Sequence, residues 1–116
     1  MSHKGKRARK MAEAAVRAPL FAALGDQTRL LLIARLADGR QRSITTLTRG
    51  SSLTRQAITK HLRVLEAAGM VRSSHHGRES LFRFDPEPIE GMREYLGAVS
   101  RHWDEALARL KAFVEE

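Results

Sequence analysis

At 116 residues the chain has the length of one domain with a modest core. It contains no cysteine, which excludes disulfides, thiolate metal sites and thiol redox sensing. Twenty-one Lys and Arg against thirteen Asp and Glu leave a formal charge of +8, a balance suited to nucleic acid or an anionic membrane surface.

The distribution of that charge is more informative than its total. Residues 1–38 carry eight basic against three acidic side chains, residues 39–84 nine against two, and residues 85–116 four against eight. The middle of the chain is therefore a basic module, and the end has another task. No stretch has the apolar length needed to span a bilayer. The basic start, Met1 to Lys10, lacks the apolar run that follows in a signal peptide. A soluble, cytoplasmic protein with no membrane partner is expected.

In chain order, residues 1–10 read as a flexible basic tail, either a solubilising segment or an arm that touches phosphates. Residues 11–116 are expected to form the folded domain. Ala14, Ala15, Ala18, Leu20, Phe21 and Leu24 suggest a helix from about Met11 to Leu24, with a break or fresh start at Pro19, which cannot donate an i→i−4 bond. Gly25 and Asp26 form a stop–start pair, glycine ending one helix and Asp capping the next. That second helix runs to Ala37 with Leu30, Leu31, Ile33, Ala34 and Leu36 making it strongly apolar, and Asp38-Gly39 closes it. Ser43 can cap a short third helix bearing Ile44 and Leu47.

After the turn Gly50-Ser51-Ser52, Thr54 is placed to cap a fourth helix ending at Gly69. Ile58, Leu62 and Leu65 recur on one face of it, bordered by Ala57, His61 and Val64. Arg55, Gln56, Thr59, Lys60 and Arg63 occupy the other face, with no carboxylate among them. A solvated face usually mixes both charge signs; this one offers donors to something negative. A short helix, a turn and a longer basic helix is the helix-turn-helix layout.

Beyond Gly69 the period becomes that of strands. Met70–Ser74 and Ser80–Phe84 flank His75-His76-Gly77-Arg78-Glu79, a β-hairpin with glycine at its tip. Asp85-Pro86-Glu87-Pro88 then starts a final helix, with proline and acid in its first turn. Ile89, Met92, Leu96, Val99, Trp103, Leu107 and Leu110 follow at spacings of three and four, and Phe113 and Val114 continue the seam. Such a seam, on a helix spanning residues 84–116, is close to a coiled-coil repeat and longer than a small domain covers by itself. Pairing with a second copy is the simplest way to bury it; the alternative is that it folds back on the first two helices. Tyr95 and Trp103 read as interface core.

These features together resemble the winged-helix repressors of the ArsR/SmtB family over roughly residues 18–114. The resemblance is most specific at Leu53-Thr54, Ile58-Thr59, His61-Leu62, Leu65 and Ala68-Gly69-Met70-Val71. Phe21, Leu24-Gly25-Asp26 and Thr28-Arg29-Leu30 are similar to the family's opening pattern, and Gly77-Arg78 to its wing tip. The resemblance implies a mainly α fold with a small β-hairpin wing, a winged helix-turn-helix that dimerises through its terminal helices. It also implies that the early residues of the fourth helix face the major groove. The family's Cys-x-Cys metal element is absent, since the matching region reads Thr45-Thr46-Leu47-Thr48-Arg49. Only His102, Asp104 and Glu105 lie where other members place zinc ligands on the last helix. His102 and Asp104, two residues apart, point in different directions, and zinc wants three or four convergent ligands. No metal and no cofactor is expected, and the sequence names no small-molecule effector.

The expected partner is double-stranded DNA, contacted by Thr54, Arg55, Gln56, Thr59, Lys60 and Arg63, with Arg72, His76 and Arg78 from the wing. Gln56 suits the adenine N6/N7 edge; Arg55 and Arg63 suit guanine O6/N7 or a phosphate. Thr54, Thr59 and Lys60 sit near a helix N-terminus, which itself favours an anion. Arg78 could enter a minor groove, and Arg72, His75 and His76 could reach phosphates. Arg63 is the member of the set that most resembles a plain surface residue, and His61 reads as a packed or hydrogen-bonded residue. The dimer interface is expected at Phe21, Met92, Leu96, Val99, Trp103, Leu107 and Leu110. The function read from this is a homodimeric transcriptional repressor that binds an inverted-repeat operator. The alternatives are a winged-helix module that binds nucleic acid without sequence preference, or one that binds protein. No Ser/His/Asp grouping, paired carboxylates or Gly-rich phosphate loop points to an enzyme.

Overall fold

The structure, a computed structural model, describes residues 3–115. Five helices and a three-stranded sheet succeed one another as α1 (His3–Leu24), α2 (Gln27–Leu36), β1 (Arg42–Ser43), α3 (Ile44–Arg49), α4 (Arg55–Ala67), β2 (Val71–His76), β3 (Glu79–Phe84) and α5 (Glu87–Glu115). The strands are antiparallel in the order β1-β3-β2. This is a winged helix-turn-helix.

The helix starts are dictated by short oxygen-bearing side chains, as their positions in the sequence require. The Asp26 carboxylate accepts from the Arg29 amide at 3.0 Å, Ser43 Oγ from Thr46 at 3.1 Å, and Thr54 Oγ1 from Ala57 at 3.1 Å. Each satisfies one donor that the helix cannot. The end of α4 is a Schellman motif: the Gly69 amide donates to Glu66 O at 2.9 Å and the Met70 amide to Leu65 O at 3.0 Å. Gly69 takes φ of +77°, a conformation side chains disfavour. Met70 follows directly into the core.

The core gathers Leu32 and Leu36 of α2, Ile44 and Leu47 of α3, Ile58, Leu62 and Leu65 of α4, Val71 and Phe82 of the wing, and Met92 of α5. The predicted stripe of α4 is thus its buried face, and its polar side is left outward. Leu62 is fully buried at the centre. Replacing it with alanine should lower unfolding free energy by about 2–5 kcal/mol, measured by chemical denaturation, because transfer and cavity terms add.

Three expectations are corrected. Residues 3–10 are not a tail but the opening turns of α1; Met1 and Ser2 lie outside the described residues. Apart from Gly5, that stretch consists largely of good helix formers, and α1 pairs further on with α5. Pro19 does not break α1. The packing of Leu20, Phe21, Ala23 and Leu24 against the core offsets the lost backbone bond, a deficit of about 3 kcal/mol. On α2, which is a helix as expected, Leu32 and Leu36 point inward and Leu30 and Leu31 are exposed. Met92, expected at the dimer interface, is buried in the chain's own core; Phe21 is half-buried, its ring 6.2 Å from that of Tyr95. The two-residue strand β1, pairing Arg42 with Phe82 and Ser43 with Leu81, is an addition.

Candidate nucleic-acid interface

The first two turns of α4 form an open concave surface lined by Thr54, Arg55, Gln56, Ala57, Thr59 and Lys60. Every one of the six polar or apolar side chains here was placed by two local facts: the Thr54 cap, which fixes where the helix starts, and the buried stripe, which fixes its rotation. Gln56 and Lys60 are exposed and make no side-chain hydrogen bond to another described residue. Arg55 is exposed too, but its Nη1 donates to Thr45 Oγ1 at 2.7 Å, so α3 steadies it. Thr59 donates its hydroxyl back to Arg55 O at 2.8 Å, and Thr54 spends its oxygen on the cap. This leaves Gln56, Lys60 and the remaining donors of Arg55 as the groups presented outward.

Arg63 belongs to a different arrangement. Its Nη1 donates to Glu66 Oε1 at 2.8 Å, and its guanidinium lies 5.4 Å from the Phe82 ring centroid. Glu66 in turn accepts from the Ser73 hydroxyl, which, followed by Arg63, holds the Glu66 carboxyl below the ordinary carboxylate range. Glu66 thereby latches α4 onto the first strand of the wing. That latch went unpredicted; only an acid on an otherwise basic helix hinted at it.

The wing itself is a two-residue hairpin. His76 pairs with Glu79, leaving Gly77 and Arg78 as the turn. Gly77 has φ of +62° and Arg78 has no positive φ, the pattern of a type II′ turn with glycine at its first central position. Arg78 and His76 are exposed at this tip, while His75 meets Ser80 at 3.3 Å. Arg72 lies at the other end of the wing, where its Nε donates to Asp85 Oδ2 at 2.8 Å. The Arg72 guanidinium, followed by the Glu87 amide, holds the Asp85 carboxyl below its ordinary range. Arg72 therefore braces the wing's base and stands apart from the tip group.

The placement of α4 over α3 has its own device. Arg35 of α2 donates to Leu47 O at 2.7 Å and Thr46 O at 3.1 Å, capping the carbonyl end of α3. A Cβ at Gly50 would come within 2.7 Å of that guanidinium, so a larger residue in the turn between the helices would displace the Arg35 side chain from its cap. Among the described residues no group of three or more His, Asp or Glu is placed to hold a metal ion. No helix among the described residues is long and apolar enough to cross a membrane.

Comparison with known proteins gives the same architecture. No family model matches the chain. The ArsR-like transcriptional regulator from Rhodococcus sp. RHA1 superposes with a TM-score of 0.81 at 34% identity, covering 90% of this chain and 95% of that one. The HTH-type transcriptional regulator YuzN of Bacillus subtilis is 39% identical over 79 residues, 63% of this chain and 86% of its own. The HTH-type transcriptional regulator Rv2034 of Mycobacterium tuberculosis is 33% identical over 85 residues, 73% of this chain and 76% of its own. The chain belongs to the ArsR family of winged helix-turn-helix transcriptional regulators, DNA-binding proteins, and its lack of cysteine is consistent with a branch without the family's cysteine metal site.

Proposed function

We propose that the protein is a homodimeric repressor that binds an inverted-repeat operator and occludes a promoter. The observation that carries this reading is the uncovered end of the molecule. Up to Tyr95, α5 packs on its own chain; beyond it Leu96, Trp103, Leu107, Leu110, Phe113 and Val114 are all more than half exposed, with Val99 beside them. The radius of gyration is 19.3 Å and the longest extent 67 Å, whereas a compact chain of this length has a radius near 13 Å. Apolar surface held out in this way calls for a partner, and a second α5 with the same seam fits it.

Two-fold pairing would set two α4 helices about one DNA turn apart, roughly 10 base pairs. In this reading Gln56 and Arg55 read base edges, Lys60 and the α4 N-terminus hold phosphate, and Arg78 with His76 follows the backbone or minor groove. Thr54 and Thr59 keep the helix in shape, and Arg63 and Arg72 position the wing. Residues 11–116 act as one DNA-binding and dimerising domain, to which residues 3–10 add helix, and the protein works in the cytoplasm as a regulator, not an enzyme. Sedimentation of the protein and of its operator complex tests the assembly. Twice the 13.0 kDa chain mass, and two chains per duplex, are expected. A monomer binding one to one would contradict it.

A further inference from the structure

Three helices meet at Arg29. Its backbone amide is capped by Asp26 at the start of α2, and its guanidinium turns back over the end of α1, where Nε donates to Ala23 O at 2.6 Å and Nη2 to Ala22 O at 3.5 Å. The remaining arm, Nη1, reaches the middle of α4 and lies 3.2 Å from His61 Nδ1. An arginine nitrogen can only donate, so His61 Nδ1 is the acceptor in this contact. Asp26 Oδ1 stands 3.8 Å from the same nitrogen, beyond a hydrogen bond, and its carboxyl, held below the ordinary range chiefly by the Arg29 amide, also interacts with the Arg29 charge. The His61 side chain is half-buried at 23% exposure.

His61 directly follows Lys60 and lies two residues from Thr59 on the helix whose outer face is offered to DNA. We propose that Arg29, acting through His61, is a positioning residue for DNA reading: it fixes the roll and depth of α4 against the α1–α2 corner, so that Gln56 and Lys60 meet base and phosphate together. A core of leucines and isoleucines resists pulling the helix away but is less able to fix its rotation, because apolar contacts are not directional. A charged donor with three acceptors on fixed backbone and ring atoms is directional. The inference depends on α4 being the reading helix.

The test is a double-mutant cycle on the full-length chain, read as the ratio of affinity for a selected operator to affinity for random duplex. Arg29→Ala and His61→Leu should each lower that ratio about tenfold, and the double variant should lower it no further, since both remove one link. His61→Gln, which keeps an acceptor within reach of the guanidinium, should restore most of it. Thermal melting checks that each variant is folded at the assay temperature; a purely structural role would lower melting and leave the ratio of the folded protein unchanged. Additive losses, or no rescue by glutamine, would overturn the link. A Gln56→Ala arm separates the two claims: if that change also leaves the ratio untouched, α4 is not the reading helix, whereas if it alone acts, only the positioning role fails.

Discussion

Replacing both Trp103 and Leu107 with glutamate is expected to convert the protein to a monomer and to cost about 10²–10⁴-fold in operator affinity, the range lost when two linked contacts become one. These side chains are 63% and 57% exposed in the single chain, so the change removes nothing from its own core. The folded monomer should therefore retain its helical content and its weak, salt-sensitive affinity for random duplex. Placed opposite their two-fold mates, the new carboxylates would add like-charge repulsion to the lost apolar burial. Sedimentation and a binding titration on the same sample read both consequences. If the variant stayed dimeric, the seam would not be the interface. The same substitutions in a protein that dimerised elsewhere would change neither quantity.

The second large effect concerns the two outward groups of α4, which should fail in different ways. Gln56→Ala should reduce discrimination at one base pair of each half-site by about 1–3 kcal/mol while leaving affinity for random duplex nearly intact. Lys60→Ala should weaken every sequence alike and flatten the salt dependence, by about one unit of slope per copy. The distinction follows from chemistry: an amide matches a donor–acceptor edge, and an ammonium on a flexible stem senses charge. A filter-binding series across salt concentrations, on operator and on scrambled duplex, separates them. Identical behaviour of the two variants would remove the division of roles argued for this surface.

The parts of this molecule legible in its sequence are those decided by neighbours along the chain. Asp26, Ser43 and Thr54 cap where they stand because their oxygens reach amides three residues on. Gly69 ends α4 because its backbone φ is positive, and the hairpin closes at Gly77 for a similar reason. The buried face of α4 follows from Ile58, Leu62 and Leu65 alone. What escaped was decided across distance. Arg29 and His61 are 32 residues apart, and Arg72 and Asp85 13 apart, and neither pairing has any periodic signature. Strand β1 has two residues, too few for alternation, and exists because Phe82 and Leu81 offer it an edge. Pro19 sits inside α1 because the packing around it overrides its local preference, whereas the basic opening is helical because its Lys, Arg and Ala residues are themselves good helix formers.

Of the nine side chains expected at DNA, five remain outward-facing in a way that suits contact, Arg55, Gln56, Lys60, His76 and Arg78, while Thr54 spends its oxygen on the helix cap. Thr59 has its hydroxyl turned to the backbone. Arg63 and Arg72, equally basic on paper, are engaged by Glu66 and Asp85. Residue type could suggest an affinity for phosphate; only the fold could tell which cations are already answered by a carboxylate.

The most direct test of the central claim is selection of bound duplexes from a random pool at moderate salt, followed by sequencing. A two-fold dimer reading with α4 predicts an enriched inverted repeat, its half-sites centred about one helical turn apart, roughly 10 base pairs. A pool that gains no motif, or gains only a single unpaired half-site, would contradict it.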